Sequence, residues 1–166
     1  MTNETVQVAI IMGSASDLPV VEASFSILDD FGVKYTKNVM SAHRTPHDVM
    51  ELIKTSEAHG CKVFIAAAGM AAHLAGAVAA HSTKPVIGIP IESGGMGGID
   101  SLLSTAMMPP VVPVATVAVG KSGAKNSAIL AVQILATSDE NLAQKLVEYK
   151  QNMRSEVLEK DKKLNS

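Results

Sequence analysis

Continuous apolar runs alternate along this chain with longer segments in which apolar residues recur every three or four positions. A run that is apolar at successive positions is typical of a strand that is buried on both faces. The spacing of three or four is typical of a helix with one buried side. We therefore predict five strands, most of them continuously apolar, at residues 6–12, 33–39, 63–68, 85–91 and 114–119.

Cap residues mark the segments between these strands as helices. Pro19 opens the first helix, which ends before Gly32, and Pro46 opens the second, which ends before Gly60. Proline is favoured in the first turn of a helix and glycine just after its end. Further helices are predicted at residues 71–81, 100–106, 127–136 and about 138–160.

Two finer expectations concern the helix ends and one apolar helix. Thr45 with Asp48, and Thr137 with Glu140, have the spacing of a capping box, so both threonines are predicted N-caps. The segment 127–136 is apolar on nearly every side. Such a helix must be buried, and in a chain of this size that predicts a subunit interface.

Strands that alternate with helices predict an α/β fold in which a parallel sheet is covered on both faces. Right-handed crossovers make a doubly wound, flavodoxin-like, three-layer αβα arrangement of five strands the simplest topology. The length suits one domain over residues 1–166. The loops of small residues then fall at the carboxyl ends of the strands, where open α/β sheets bind ligands.

Composition narrows the class of ligand. The net charge is −2 and aromatic residues make up 3% of the chain, so neither a basic footprint nor stacking platforms for nucleic acid are present. No apolar stretch approaches the roughly 20 residues of a membrane span, and no signal peptide is evident. We therefore expect a cytoplasmic protein that binds a small molecule, with no nucleic-acid or membrane partner.

Metal and thiol chemistry find little support in the sequence. No H-x-x-x-H helix pair, H-E-x-x-H motif or His/carboxylate cluster is present, so no metal site is predicted. Cys61 is the single cysteine, which excludes an internal disulfide. Since it lies between a helix and a strand, a small buried residue is the better interpretation than a catalytic thiol.

The loop 13–17 follows the first strand and opens a helix, so Ser14, Ser16 and Asp17 are candidate binding residues. The N–H groups at a helix N-terminus can hold a phosphate. Ordinary capping by Ser16 or Asp17 explains the same residues equally well. Asp17 could also accept hydrogen bonds from ribose hydroxyls. Neither G-x-G-x-x-G nor a P-loop motif is present.

The loop 41–46 carries the most distinctive chemistry. Arg44 is one of two arginines, and with Ser14 and Ser41 it could grip a phosphate, although a surface salt bridge is the plainer alternative. His43 beside it suits proton transfer near neutral pH. His73, just after a third loop, could face the same cleft. His47, His59 and His81 are predicted to be solvated or packing residues.

Assembled, these loops resemble the N5-carboxyaminoimidazole ribonucleotide mutase family of bacterial purine biosynthesis. The matching segments are 12–17, 41–46, 71–74, 98–103, 113–116 and 126–136, within a resemblance that covers about residues 6–160. The resemblance implies a flavodoxin-like homo-octamer, whose last helix packs on neighbouring subunits, and a reaction without metal, ATP or biotin. No cofactor is expected.

The resemblance also implies a division of roles at the site. His43 would be the general acid and base that moves a proton while the carboxyl group migrates by way of CO2. Ser14, Ser41 and Arg44 would hold the ribonucleotide phosphate, and Asp17 the ribose. Around the base and the carboxyl group would lie Gly69, His73 and Leu74.

Two rival functions remain at this point. A related carboxylase uses CO2 directly, but its members typically carry Lys after the motif histidine and lack an equivalent of His73, so Arg44 and His73 favour the mutase. A non-catalytic flavodoxin-like nucleotide-binding module is the second, and the scarcity of aromatic residues disfavours a flavin.

Four residues depart from the family pattern. Glycine is more usual where Ala67, Met70 and Val112 stand, and proline is more usual where Ala75 stands.

Overall fold

The computed structural model describes residues 5–166, and within that range five parallel strands form one sheet in the order β2-β1-β3-β4-β5. The strands are β1 (Val8–Met12), β2 (Tyr35–Val39), β3 (Val63–Gly69), β4 (Val86–Ile91) and β5 (Ala115–Thr116). The chain runs from β1 outward to β2 and then returns to β3 on the other side of β1. The predicted flavodoxin-like fold is confirmed, with its switch point between β1 and β3.

Helices cover both faces of the sheet. A short 3-10 turn (Ala15–Asp17) leads into the first of them, and the helices of the described residues are α1 (Leu18–Phe31), α2 (Pro46–Ala58), α3 (Leu74–His81), α4 (Ile99–Ala106), α5 (Gly120–Ala136) and α6 (Glu140–Leu164). In β1, Ile10 packs with α1 and α5 on one face, whereas Ile11 packs with α2 and α3 on the other. Both faces of a central strand are therefore buried, which explains its continuous apolar sequence.

Several element boundaries differ from the sequence prediction. The helix expected at 71–81 begins only at Leu74, because Met70 adopts a left-handed backbone (φ 56°) and the next three residues form a loop. The last strand, expected over 114–119, is reduced to Ala115–Thr116. It lies at the sheet edge after a loop with three prolines, whose missing N–H groups limit strand pairing.

Neither predicted threonine makes a capping hydrogen bond, although Thr45 does hold the N-cap position of α2. The hydroxyl of Thr45 bonds back to the main chain of Ser41 and makes no cap hydrogen bond to α2. Thr137 lies beyond the end of α5 and donates its hydroxyl to Ile134 O. Asp139 caps α6 instead, since its carboxylate accepts the N–H of Leu142 at 3.1 Å.

Most of the apolar surface of helix α5 is covered by other parts of the same chain. It begins at Gly120, earlier than predicted, and Ala124, Ala128 and Val132 are fully buried against the core shared by β1, β3, β4 and α1. Leu146 and Tyr149 of α6 pack against the same core. The burial predicted for this helix is therefore provided largely by the chain itself, and the subunit interface inferred from it stays a prediction.

Large exposed apolar residues lie on α4 and the loop that follows it, and also on α6. Ile99 and Leu103 of α4 are 58% and 54% exposed, Met107 is 78% exposed and Val111 is 98% exposed. The second half of α6 is exposed on all sides. None of the helices in residues 5–166 has the length and apolar character required to cross a bilayer.

Candidate active site

A cavity of about 490 Å³ opens at the carboxyl ends of β1, β2 and β3. Its walls come from the loops after these strands, with Ser93 from the loop after β4. The nine residues singled out from the sequence all line it: Ser14, Ser16, Asp17, Ser41, His43, Arg44, Gly69, His73 and Leu74. The fold brings them together because parallel strands present their following loops at one sheet edge.

The loop after β1 is closed by a capping box. Ser14 Oγ accepts the N–H of Ser16 at 3.3 Å and the hydroxyl of Ser16 at 2.8 Å, while Asp17 Oδ2 accepts the N–H of Ser14 at 3.0 Å. Ser14 is therefore the N-cap of the 3-10 turn and Asp17 its N3 partner in the capping box, and Asp17 also holds the N-cap position of α1 without a side-chain cap hydrogen bond. Because Ser14 Oγ is the acceptor in both contacts, its own O–H can donate to an anion in the cavity.

Asp17 is a buried carboxyl group on the wall of the cavity, with 5% of its surface exposed. Burial raises the pKa of Asp17 above its ordinary value of 3.8, and the hydrogen bond from the N–H of Ser14 offsets part of that rise. A poorly hydrated carboxylate gains from donors that replace water. The hydroxyls of a sugar are such donors.

The loop after β2 is a tight turn held by two hydroxyls. Ser41 Oγ accepts the N–H groups of His43 at 3.3 Å and Arg44 at 3.2 Å. Thr45 Oγ1 accepts the N–H of Ser41 at 2.9 Å and donates to Ser41 O at 3.1 Å. This turn fixes the backbone at His43 and Arg44 and leaves the O–H of Ser41 free to donate.

Arg44 connects the first two loops. Its Nη2 donates to Gly13 O at 3.1 Å, although the side chain as a whole is exposed. A carbonyl oxygen carries no full negative charge, so this contact is a hydrogen bond and not the surface salt bridge considered from the sequence. The positive charge lies beside the hydroxyls of Ser14 and Ser41, which suits a phosphate.

His43 and His73 meet across the cavity in a direct hydrogen bond. His43 Nε2 lies 2.7 Å from His73 Nδ1, with ring centroids 4.8 Å apart and ring planes at 74°. One ring must donate and the other must accept, so the contact holds at most one of the two histidines in its protonated form. The pair can pass a proton between its rings, and both rings are accessible from the cavity.

The third wall is the loop that follows β3. A side chain at Gly69 would collide with the hydroxyl of Ser93 and crowd its Cβ, so a larger residue here would displace Ser93 from the cavity wall. The next residue, Met70, is left-handed and 62% exposed. Ser104 of α4 bonds to this loop: its Oγ accepts the N–H of Ala72 at 3.0 Å, and its single hydrogen has Met70 O at 3.2 Å and Asp100 O of its own helix at 2.7 Å as alternative acceptors.

Sequence reasoning missed Ser93 and Ser104. Ser93 follows β4 in a glycine-rich loop, and its place at the carboxyl end of a strand was a usable signal. Ser104 lies inside a helix, and its spacing carries no sign that it reaches another loop.

The left-handed backbone explains one departure from the family pattern. Glycine is the residue that adopts φ 56° without strain, so its usual presence where Met70 stands has a physical cause. In the loop before β5 the left-handed residue is Val111 (φ 68°), the neighbour of the Val112 noted from the sequence. Ala67 and Ala75 are buried and have ordinary backbone angles.

The remaining titratable candidates lie outside the cavity. His47, His59 and His81 are exposed on or beside helices, as predicted. Cys61 is buried, its thiol donates to Val63 O at 3.3 Å, and burial raises the pKa of that thiol. The interpretation of Cys61 as a small buried residue is confirmed. In residues 5–166 no group of three or more His, Cys, Asp and Glu could hold a metal ion.

Known proteins share this sequence and fold over nearly their whole length. The AIR carboxylase family model matches residues 7–156. The N5-carboxyaminoimidazole ribonucleotide mutases of Methanocaldococcus jannaschii and Bacillus subtilis are each 50% identical over 157 residues, covering 95% of this chain and 96% and 97% of theirs. The crystal structure of Treponema denticola PurE superposes with a TM-score of 0.88 at 31% identity, covering 96% of this chain and 99% of that one. This chain therefore belongs to the AIR carboxylase family.

Proposed function

We propose that this protein is an isomerase of purine biosynthesis that converts N5-carboxyaminoimidazole ribonucleotide into 4-carboxyaminoimidazole ribonucleotide. The observation that carries the proposal is the 2.7 Å contact between His43 and His73, beside a cluster of anion-binding groups. Relatives that share half of this sequence carry the name of that mutase. No cofactor enters the proposed reaction.

The ribonucleotide is bound by the loops after β1 and β2. The hydroxyls of Ser14 and Ser41 and the guanidinium of Arg44 hold the phosphate, since they combine donors with a positive charge on one side of the cavity, and the hydroxyl of Ser16 orients that of Ser14. The carboxylate of Asp17 accepts the ribose hydroxyls. This arrangement leaves the base to face the loop after β3, where Gly69, His73 and Leu74 line the cavity.

His43 moves the proton that the reaction requires. The bond between the carbamate carbon and the exocyclic nitrogen breaks, its electron pair stays on nitrogen, and His43 donates a proton there as CO2 forms. The ring carbon then attacks the CO2 and forms the new carbon–carbon bond, and His43 takes up the proton released from that carbon. The histidine ends as it began, and the walls of the cavity hold CO2 next to the ring carbon.

Direct carboxylation of aminoimidazole ribonucleotide is the competing function. Arg44 and His73 are the residues that favour the mutase over it, because the resemblance implies Lys after the motif histidine and no equivalent of His73 in the carboxylase. A direct test supplies the carbamate substrate without ATP and without added bicarbonate. Isomerisation under these conditions supports the mutase. Turnover from aminoimidazole ribonucleotide and CO2 alone, with none from the carbamate, would establish the carboxylase instead.

Replacement of His43 by asparagine tests the proton carrier. Asparagine preserves the size and a hydrogen bond but cannot exchange protons, so we expect kcat to fall by about 100- to 10,000-fold. Substrate binding, measured by calorimetry, should stay within about twofold because the binding groups lie on other residues. His47→Asn, on an exposed position of α2, is the matched control. Near-normal kcat in His43→Asn would remove this residue from its role.

The same proposal includes a homo-octamer in the cytoplasm. The exposed apolar residues of α4, Met107 and Val111 support association between copies, and α6 offers Val157 and Leu164 at 64% and 86% exposure. A patch of this kind is unusual on a monomer. Light scattering should give a mass of eight times the 17.3 kDa of one chain.

We place the protein in the cytoplasm because a phosphorylated substrate would be retained there. Cell fractionation tests this location.

A further inference from the structure

We infer that Ser104 is a positioning residue, which holds the loop 70–73 and thereby keeps His73 in contact with His43. The expected effect of Ser104 on turnover rests on the proposed function, but the position of the loop can be measured separately. Ser104 lies on α4, outside the residues that line the cavity. Its effect on turnover must therefore act through the loop.

The hydrogen bonds of Ser104 single it out among the hydroxyls of α4. Its Oγ accepts the N–H of Ala72 at 3.0 Å and is within donor distance of Met70 O at 3.2 Å and Asp100 O at 2.7 Å. The hydroxyls of Ser101 and Thr105 bond to main-chain groups of β4 and of α4 itself. Ser104 therefore joins the helix to the active-site loop.

The loop has reasons to need this support. Met70 holds a left-handed backbone that a residue with a side chain adopts at a cost. The side chain of His73, at the N-cap of α3, makes no cap hydrogen bond. Ala72 is 2% exposed, so without Ser104 its N–H would lose its partner in a place where water has little access.

Loss of the support moves the residue that follows Ala72. His73 is joined directly to it, and the ring contact with His43 is only 2.7 Å long. A hydrogen bond of this kind is lost when its atoms separate by about 1 Å. The residues proposed to bind the phosphate and the ribose lie on the loops after β1 and β2, so their positions do not depend on Ser104.

Kinetics of Ser104→Ala in the full-length protein give the first test. We expect kcat for the carbamate substrate to fall by about 10- to 100-fold, with KM within about twofold of wild type. Ser104→Thr keeps the hydroxyl and should restore most of kcat. Thr105→Val removes a buried hydroxyl that bonds within α4 and serves as the control, with kcat near wild type. A rise in KM at unchanged kcat would overturn the proposal.

A double-mutant cycle separates positioning from a general loss of stability. If Ser104 acts through His73, Ser104→Ala should lower kcat little further in a His73→Asn background. An equal loss in both backgrounds would overturn the proposal.

Hydrogen exchange of the peptide that contains residues 70–73 completes the test without activity. In Ser104→Ala this peptide should exchange faster, while the peptide that contains residues 13–17 should not change. If wild type lacks mutase activity, the proposed function fails and exchange alone decides on Ser104. Unchanged exchange would overturn the positioning role.

Discussion

The two sides of the cavity keep their shape by different means. On the anchoring side, formed by the loops 13–17 and 41–45, most side chains bond to main-chain groups two to four residues away, and Arg44 adds one bond to Gly13 O that joins the two loops. The loop 70–73 has a left-handed methionine, and the hydrogen bond from the N–H of Ala72 to Ser104 spans 32 residues. One side is held locally and the other depends on a distant helix.

This difference implies that binding and turnover respond to different changes. The anchoring side carries the groups that suit a phosphate and a ribose, and its geometry is set by its own sequence. The opposite side carries His73, whose position depends on α4. The outer face of that helix exposes Ile99 and Leu103, so changes there can reach the loop without contacting the cavity.

Replacing Arg44 by alanine is the change expected to affect the anchoring side most. A hydrogen bond to a charged group contributes about 1.5–3 kcal/mol, which corresponds to an increase of about 10- to 100-fold in KM. We expect kcat to change much less, because the histidine pair is untouched. Steady-state kinetics with the carbamate substrate measure both parameters.

Arg154→Ala is the matched control, since Arg154 is the other arginine of the chain and is exposed on α6. It should leave both parameters at their wild-type values. A loss of kcat at constant KM in Arg44→Ala would show that anchoring and proton transfer are not separate.

The anchoring side could be predicted from the sequence because its signals are local. Small and polar residues follow an apolar run, and Ser14 and Asp17 have the spacing of a capping box. Thr45 holds the N-cap position of α2 as predicted, but its capping hydrogen bond is absent for an equally local reason. Its hydroxyl can cap the helix or close the turn at Ser41, and the sequence does not decide between these bonds.

The opposite side could be predicted only in part. Gly69 and His73 were placed at the end of a strand, but the helix was started too early because residues 71–81 are rich in alanine, which favours helices. The bonds to Ser104 depend on how α4 packs, and no spacing reveals them. The burial of α5 was predicted correctly, but sequence cannot distinguish cover by α1 from cover by another subunit.

Met70→Gly tests whether the loop 70–73 is strained. A left-handed backbone costs a residue with a side chain about 1–2 kcal/mol, whereas glycine loses about 0.5–1 kcal/mol more than other residues through chain entropy. We therefore expect the free energy of unfolding to rise by about 0.5–1 kcal/mol. Urea denaturation at fixed protein concentration measures it.

The control for this variant is Met96→Gly. Met96 is 63% exposed, close to the 62% of Met70, but its φ is not positive. Here glycine relieves no strain, so the free energy of unfolding should fall. Equal effects of the two substitutions would show that the backbone at Met70 stores no strain.

Asp17→Asn tests how ionisation of the buried carboxyl group on the anchoring side changes the free energy of unfolding with pH. Burial raises the pKa of Asp17 above 3.8, so between 3.8 and the raised value the folded protein keeps a proton that the unfolded chain has released. The contribution of Asp17 to the free energy of unfolding therefore falls as pH rises through that window. Asparagine cannot ionise, and its Oδ1 can still accept the N–H of Ser14.

As pH rises from about 3.5 to about 7, the free energy of unfolding of the variant should therefore increase relative to that of wild type. The variant should nevertheless lose affinity for the ribonucleotide. Urea denaturation at the two pH values measures the change, with Glu159→Gln on an exposed position of α6 as the control. The opposite sign, a relative loss of stability at the higher pH, would mean that hydrogen bonding to the charged carboxylate outweighs its burial. The charge on Asp17 would then stabilise the anchoring side, so the stability of these two loops would depend on the ionisation of Asp17.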